Sequence, residues 1–137
     1  MEPIEWTIGI HRMNFEPPDI CHCHINGRVA AEEAKLALEL IDKEIVSKVG
    51  DNFYFVAHLS SDIKKLSAEP RKLASSIKPK WKASVVIGRH VLLRTVVNMI
   101  FRAANLMSGT SVPLRMVGTV EEAYALINEW RAGRKPE

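Results

Sequence analysis

Residues 91–107 (VLLRTVVNMIFRAANLM) constrain this chain of 137 residues more than any other stretch. At 100° per residue, Arg94, Asn98, Arg102 and Asn105 fall within an arc of roughly 80°, and almost everything outside that arc is apolar. A surface helix normally has the opposite balance, a limited apolar stripe and a broad polar face. This helix must be covered on more than one side: by its own domain, a second subunit, a lipid or another protein.

The length suits a single domain, residues 1–137, with a polar tail from residue 131, and is enough to bury a core without disulfide staples. A hydrophobic content of 47% and a charged content of 26% belong to an ordinary globular protein. A net charge of +3 is too small to argue for nucleic acid. Basic residues do cluster at Lys64, Lys65, Arg71, Lys72, Lys78, Lys80 and Lys82, opposed only by Glu69, which reads as a solvated face. The start has no basic stretch followed by an apolar run, so no secretory leader is expected. The apolar helix is too short and too interrupted to span a membrane comfortably. Cys21 and Cys23, two apart on one strand, lack the geometry of a normal disulfide, and a cytoplasmic location is the default.

Residues 5–13 alternate as one strand, with Trp6, Ile8 and Ile10 on one side and Glu5, Thr7 and His11 on the other. Two prolines make residues 15–19 a turn, and residues 20–26 form the second strand of a hairpin. Residues 30–48 are a helix with Ala34, Leu38, Ile41 and Ile45 on one face and Gly50 as its stop. The near-continuous apolar run at 52–60 fits a strand inside a sheet. Residues 67–77 suit a helix capped by Ser67, and 83–88 a buried strand leading into the apolar helix. Residues 114–117 are the last strand. Thr119 and Glu122 then form a capping box for a helix reaching about residue 130. Strands that alternate with helices demand parallel, right-handed crossovers. Strands added in sequence order put all helices on one face and leave the other partly covered.

This order resembles the STAS-like (SpoIIAA-like) family, which includes anti-sigma factor antagonists, lipid-binding domains and many small bacterial proteins. The resemblance covers about residues 18–130. It rests on HCHING (22–27), FYFVAHLS (53–60), VVIG (85–88) before an Arg-containing apolar helix, and PLRMVGTVEEA (113–123). It implies a regulatory or interaction role, and in the antagonists a phosphorylated serine in an Asp-Ser-Ser-Gly motif at a helix start. Here that stretch is Leu66-Ser67-Ala68-Glu69. Only Ser67 matches, the usual phosphoacceptor position is Ala68, and a strand-end aspartate frequent in the family is replaced by His58. Ser67 is therefore a possible phosphoacceptor whose plain reading is a helix cap.

Cys21-His22-Cys23-His24 invites a zinc site, but on one extended strand the cysteines face one way and the histidines the other. The cysteines belong on the helix-covered side. His11, His22, His24 and His58 then point to the open face, where His22, His24 and His58 are metal candidates or a proton-sensitive group, with no carboxylate obvious on those strands. Catalysis finds no support: there is no Gly-x-Ser-x-Gly elbow, phosphate loop or spaced carboxylate pair. Arg89 follows Gly88 at the strands' carboxyl edge, where an anion would sit.

The expected architecture is an α/β domain with a five-stranded mixed sheet, its first strand antiparallel and the rest parallel, and four helices mainly on one face. The expected function is non-enzymatic: a regulatory module that binds a protein partner or itself as a homodimer, without cofactor. Its surface would include Arg89, Arg94, Asn98, Phe101, Arg102 and Asn105. The alternative is a small carrier of an apolar ligand such as a lipid, with the basic cluster approaching a membrane surface.

Overall fold

The computed structural model describes residues 1–136. Its sheet has six strands in sequence order: β1 (Ile4–Ile8), β2 (His11–Glu16), β3 (Ile20–Ile25), β4 (Tyr54–Leu59), β5 (Ala83–Ile87) and β6 (Leu114–Val117). The helices are α1 (Ala31–Ile41), α2 (Pro70–Ser76), α3 (Val91–Ser108) and α4 (Val120–Arg131). A π-helical segment, Asp42–Val46, and a final turn, Ser47–Val49, extend α1 to Gly50, whose φ of 64° ends it.

The sixth strand arises at the N-terminus. The stretch read as one strand folds back at Gly9, whose φ of +60° suits the first central position of a two-residue hairpin turn. Ile8 therefore pairs with His11, and both lie on one face of the sheet. Ile10, which extends the apolar alternation in the sequence, sits at the turn and is 62% exposed. As a result β2 runs antiparallel to both its neighbours, and β3 to β6 are parallel.

One face carries Met13, Phe15, Cys21, Phe55, Ala57 and Val86, buried beneath α1, α2 and α3. The other carries Ile20, Tyr54, Val56, Val85 and Ile87, buried beneath Ala123, Ile127 and Trp130 of α4. Helices α1, α2 and α3 connect parallel neighbours, so one crossover hand places all three on the same side. The final helix follows an edge strand and makes no crossover. It is free to cover the second face, and it does. Its start is capped by the Thr119 hydroxyl, which accepts from the Glu122 N–H at 3.1 Å. The Glu122 carboxylate meets the Thr119 hydroxyl at 3.2 Å, so the reciprocal bond of a full capping box is replaced by a side-chain pair.

Helix α2 starts three residues later than its sequence pattern indicates. Proline disfavours helical backbone in the residue before it, and Glu69 has φ −131° and ψ 76°. Pro70 is thus the first helical residue, and Ser67 is buried in the loop, where its hydroxyl accepts from the Glu69 N–H at 3.1 Å. Ser67 is not the cap of this helix.

Candidate functional site

The inner side of α3 is formed by Leu93, Val97, Ile100 and Ala104, all buried. The His90 ring caps its start, accepting from the Leu93 N–H at 3.2 Å. The polar stripe divides into two roles. Arg94 reaches over the edge of the sheet, and its Nη2 donates to the Met116 carbonyl of β6 at 3.1 Å. Asn105 closes the loop after the helix: its Nδ2 donates to the Val112 carbonyl at 2.9 Å. Its Oδ1 accepts from the Thr110 hydroxyl at 2.8 Å and the Val112 N–H at 3.1 Å. Asn98 is half-buried and Arg102 is exposed. Phe101 is half-buried, its ring centroid 6.5 Å from that of Phe55.

Besides Thr95 and Arg102, what α3 turns to solvent is apolar. Val91 is 74% exposed, Leu92 72%, Met99 64%, Leu106 85% and Met107 53%. The intrachain packing thus covers one side of the helix and leaves the opposite side bare. Arg89, also exposed, donates from Nε to the Gly118 carbonyl at 3.3 Å, tying the end of β5 to the start of α4. Gly88 before it has no positive φ; the Leu59 side chain approaches to 3.0 Å of where a Cβ would lie, and that close approach is what requires glycine.

Beneath α1, α2 and α3 lies a partly open cavity of about 90 Å³, lined mainly by apolar side chains, with His11 and Glu33 also on its wall. Met13, Cys23, Ala37, Leu38, Phe55 and Phe101 are among the side chains around it. Both cysteines are free, and burial pushes both thiols well above their usual range, Cys23 up to about 12. Neither is poised as a nucleophile.

The other face holds a connected polar cluster. His24 of β3 and His58 of β4 are register partners, and their rings stack with centroids 4.3 Å apart. His22 sits beside them, 6% exposed. Its Nε2 lies 2.8 Å from the Glu16 Oε1, and its Nδ1 lies 2.8 Å from the His58 Nε2. A carboxylate only accepts, so with neutral rings His22 carries its hydrogen on Nε2 and accepts at Nδ1 from His58. The Tyr124 hydroxyl of α4 also donates to Glu16 Oε1.

Electrostatics follow from this chain. Burial pushes the Glu16 carboxyl upward. The hydrogen bonds from Tyr124 and His22, with the His22 and Arg131 charges, outweigh it and leave Glu16 below its usual value. Burial first, then the Glu16 bond and charge, hold the Tyr124 phenol up at about 12. Burial, reinforced by His24 and His22, lowers His58 from 6.5 to about 4. His24 is lowered too, by burial and by the nearby Arg12 and His22 charges.

Of the four histidines placed together by strand parity, His22, His24 and His58 share this face. His11 does not. The hairpin at Gly9 reverses its parity, and it lies buried on the opposite side with Nε2 3.1 Å from the Arg28 carbonyl and Nδ1 accepting from the Asn26 N–H at 3.2 Å. The sequence reading missed two members, Glu16 and Tyr124. Glu16 is the register partner of Ile20 and so shares the parity of His22, a relation visible once the prolines are taken as the turn itself. Tyr124 had no such signal, because its helix had been expected on the other face.

The narrow groove between α4 and the sheet at this point is lined by Ile20, His22, Val56, His58, Ile87 and Ile127. Among the described residues, no group of three or more His, Cys, Asp or Glu side chains is disposed to hold a metal ion. The arrangement is chemically a latch. Tyr124–Glu16 and the Arg131–Asp19 ion pair fix α4 to the two ends of the β2–β3 turn. No helix among the described residues is long and apolar enough to cross a membrane. Comparison with protein-family models, curated proteins and solved structures finds no match to this chain.

Proposed function

We propose that this chain is a non-enzymatic interaction module of the STAS-like kind whose working surface is the outer side of α3. The observation that carries the reading is the exposure of Leu92, Met99 and Leu106 along a helix otherwise packed into the domain. The exposed apolar side chains of this helix together offer surface at the upper end of what a typical monomer presents, and the largest such patch is often functional. The sequential strand order, three helices on one face and a final capped helix after the edge strand agree with the resemblance. The two free cysteines suit a reducing, cytoplasmic compartment. Burial keeps both thiols protonated, which does not favour a nucleophilic cysteine.

The test is photocrosslinking with benzoylphenylalanine in place of Met99, in cells of the source organism. The expected result is a covalent protein adduct at that position and none from the same group placed at Glu129, an exposed residue of α4. Absence of any protein adduct at position 99 removes the reading.

A second reading is favoured by the mainly apolar, partly open cavity beneath α1: the chain carries an apolar small molecule there. Native mass spectrometry of the purified protein is expected to show added mass in that case. Narrowing the cavity with Ala37→Leu is expected to abolish it, and bare protein under gentle ionisation removes this second reading.

A further inference from the structure

The bare side of α3 has an internal symmetry that identifies its occupant. Leu92, Met99 and Leu106 lie within about 40° of one another around the helix, with positions 92 and 106 mirrored about Met99, and Val91 and Met107 flank this line about 80° to either side. In an antiparallel pair about a two-fold axis at Met99, Leu92 meets Leu106 of the partner helix and Met99 meets itself, so apolar side chains face apolar side chains along the whole line. We infer that the outer face of α3 receives a second copy of this chain, the two α3 helices running antiparallel about a two-fold axis at Met99. The inference rests on the reading of this face as the working surface and names its partner.

The intervening positions agree. In that register Thr95 lies opposite Ala103 of the partner helix, a pairing of small side chains that permits close approach. The two Arg102 residues fall on opposite sides of the axis, about 9 Å apart along the helices, so their charged ends run out to solvent while their stems cover the Met99 pair. Leu92 and Leu106 are spaced by whole heptads from Met99, the spacing that keeps a seam facing its partner in left-handed helix pairs.

From the fractional exposures, Leu92, Met99 and Leu106 offer roughly 400 Å² per copy, and complete cover of the flanking Val91 and Met107 raises the ceiling to roughly 600 Å² per copy, or about 1,200 Å² for the pair, the lower bound of specific interfaces. Pairing through the sheet edge is the competing way for two copies to meet. Arg94 disfavours it, since its guanidinium already occupies the outward Met116 carbonyl of β6.

Light scattering on the full chain, combined with three cysteine variants, tests the geometry. The native thiols are shielded, Cys21 fully and Cys23 largely, so introduced ones report on the interface. The expected result is a dimer at tens of micromolar protein, and Met99→Glu is expected to weaken it at least ~100-fold by placing two carboxylates against each other on the axis. Circular dichroism of that variant checks that the monomer still folds; Met99→Lys serves as the second variant if it does not. Met99→Cys is expected to form an intermolecular disulfide by itself, because helix axes about 8–10 Å apart bring Cα atoms on the axis within disulfide range. Leu92→Cys and Leu106→Cys are each expected to stay uncrosslinked alone and to crosslink when mixed.

A monomer at these concentrations overturns the inference, as does a dimer that survives both Met99 substitutions and forms no disulfide at position 99. The two levels separate cleanly. A monomeric chain whose position 99 crosslinks to a different protein in cells loses the self-pairing but keeps the surface; a chain with no adduct loses both.

Discussion

Replacing His58 with glutamine is expected to flatten the dependence of stability on pH between 6.5 and about 4. The cause is the ring's position. It is half-buried beside His24 and His22 and held neutral in the folded chain, with a pKa of about 4 in place of 6.5. Above pH 6.5 the folded and unfolded chains agree on its protonation and it adds no pH dependence. As pH falls below 6.5 the unfolded chain takes up a proton that the folded chain refuses until about pH 4, so stability declines across that window and levels below it. The difference between the two values corresponds to a ceiling of roughly 3 kcal/mol, and solvent access to a half-buried ring reduces this to about 1–2 kcal/mol. Charged groups that face the ring come from its neighbours on β3 (His22 and His24), with Arg12 and Glu16 of β2 and Tyr124 of α4 one contact further out. Glu16 is held below its usual carboxylate value and acts in a lower window, so it does not mask the effect. Glutamine can still donate to the His22 Nδ1, which leaves the structure near neutrality intact. Urea unfolding at several pH values from about 7.5 to about 4.5 measures the slope, and the histidine ring proton signals report the titration directly. A wild-type His58 that titrates near 6.5, or a variant with the wild-type slope, refutes the reasoning.

The latch and the loop beyond α3 give further expectations. Tyr124→Phe removes the hydroxyl that donates to Glu16, costing about 1–2 kcal/mol by denaturant unfolding at neutral pH and letting the Glu16 carboxyl rise toward its ordinary range, which carboxyl-carbon NMR detects. An unmoved Glu16 titration in that variant counts against the hydrogen bond as its cause. Asn105→Ala strips three hydrogen bonds from the Thr110–Val112 loop and is expected to cost about 1–3 kcal/mol, with faster amide exchange at Val112 as the local signature.

Much of the fold was legible because its signals are local. The apolar helix, the strand at Ala83–Ile87, the strand at Leu114–Val117 and the Thr119 cap all stand where periodicity and capping chemistry place them. The misreadings have particular causes. Ile10 continues the apolar alternation of Trp6 and Ile8 straight through a turn, so one strand was read where Gly9 makes two. That single turn also inverted the parity of His11. Ser67 has the chemistry of a cap, yet the conformational limit Pro70 imposes on Glu69 overrides it. The carboxylate and phenol that complete the histidine cluster depend on which face the last helix covers, and no repeating pattern records that choice. It follows from the absence of a further strand to cross to.

The sheet separates the two features that most invite function. The bare side of α3 lies beyond the layer of Phe55, Ala57 and Val86, and the histidine cluster lies on the side of Tyr54, Val56 and Val85. Alternate residues of the same buried strands divide them, and no hydrogen bond links the α3 surface to Glu16, His22 or Tyr124 among the described residues. Features without a shared partner perturb stability additively. Acid therefore acts on the α4 side, where protons are refused or accepted. Protein concentration is expected to act on the α3 side if, as inferred above, a second copy replaces water over Leu92, Met99 and Leu106. The latch side fixes the last helix, and the inferred pairing through α3 is expected to respond to Met99 substitutions without moving the His58 titration.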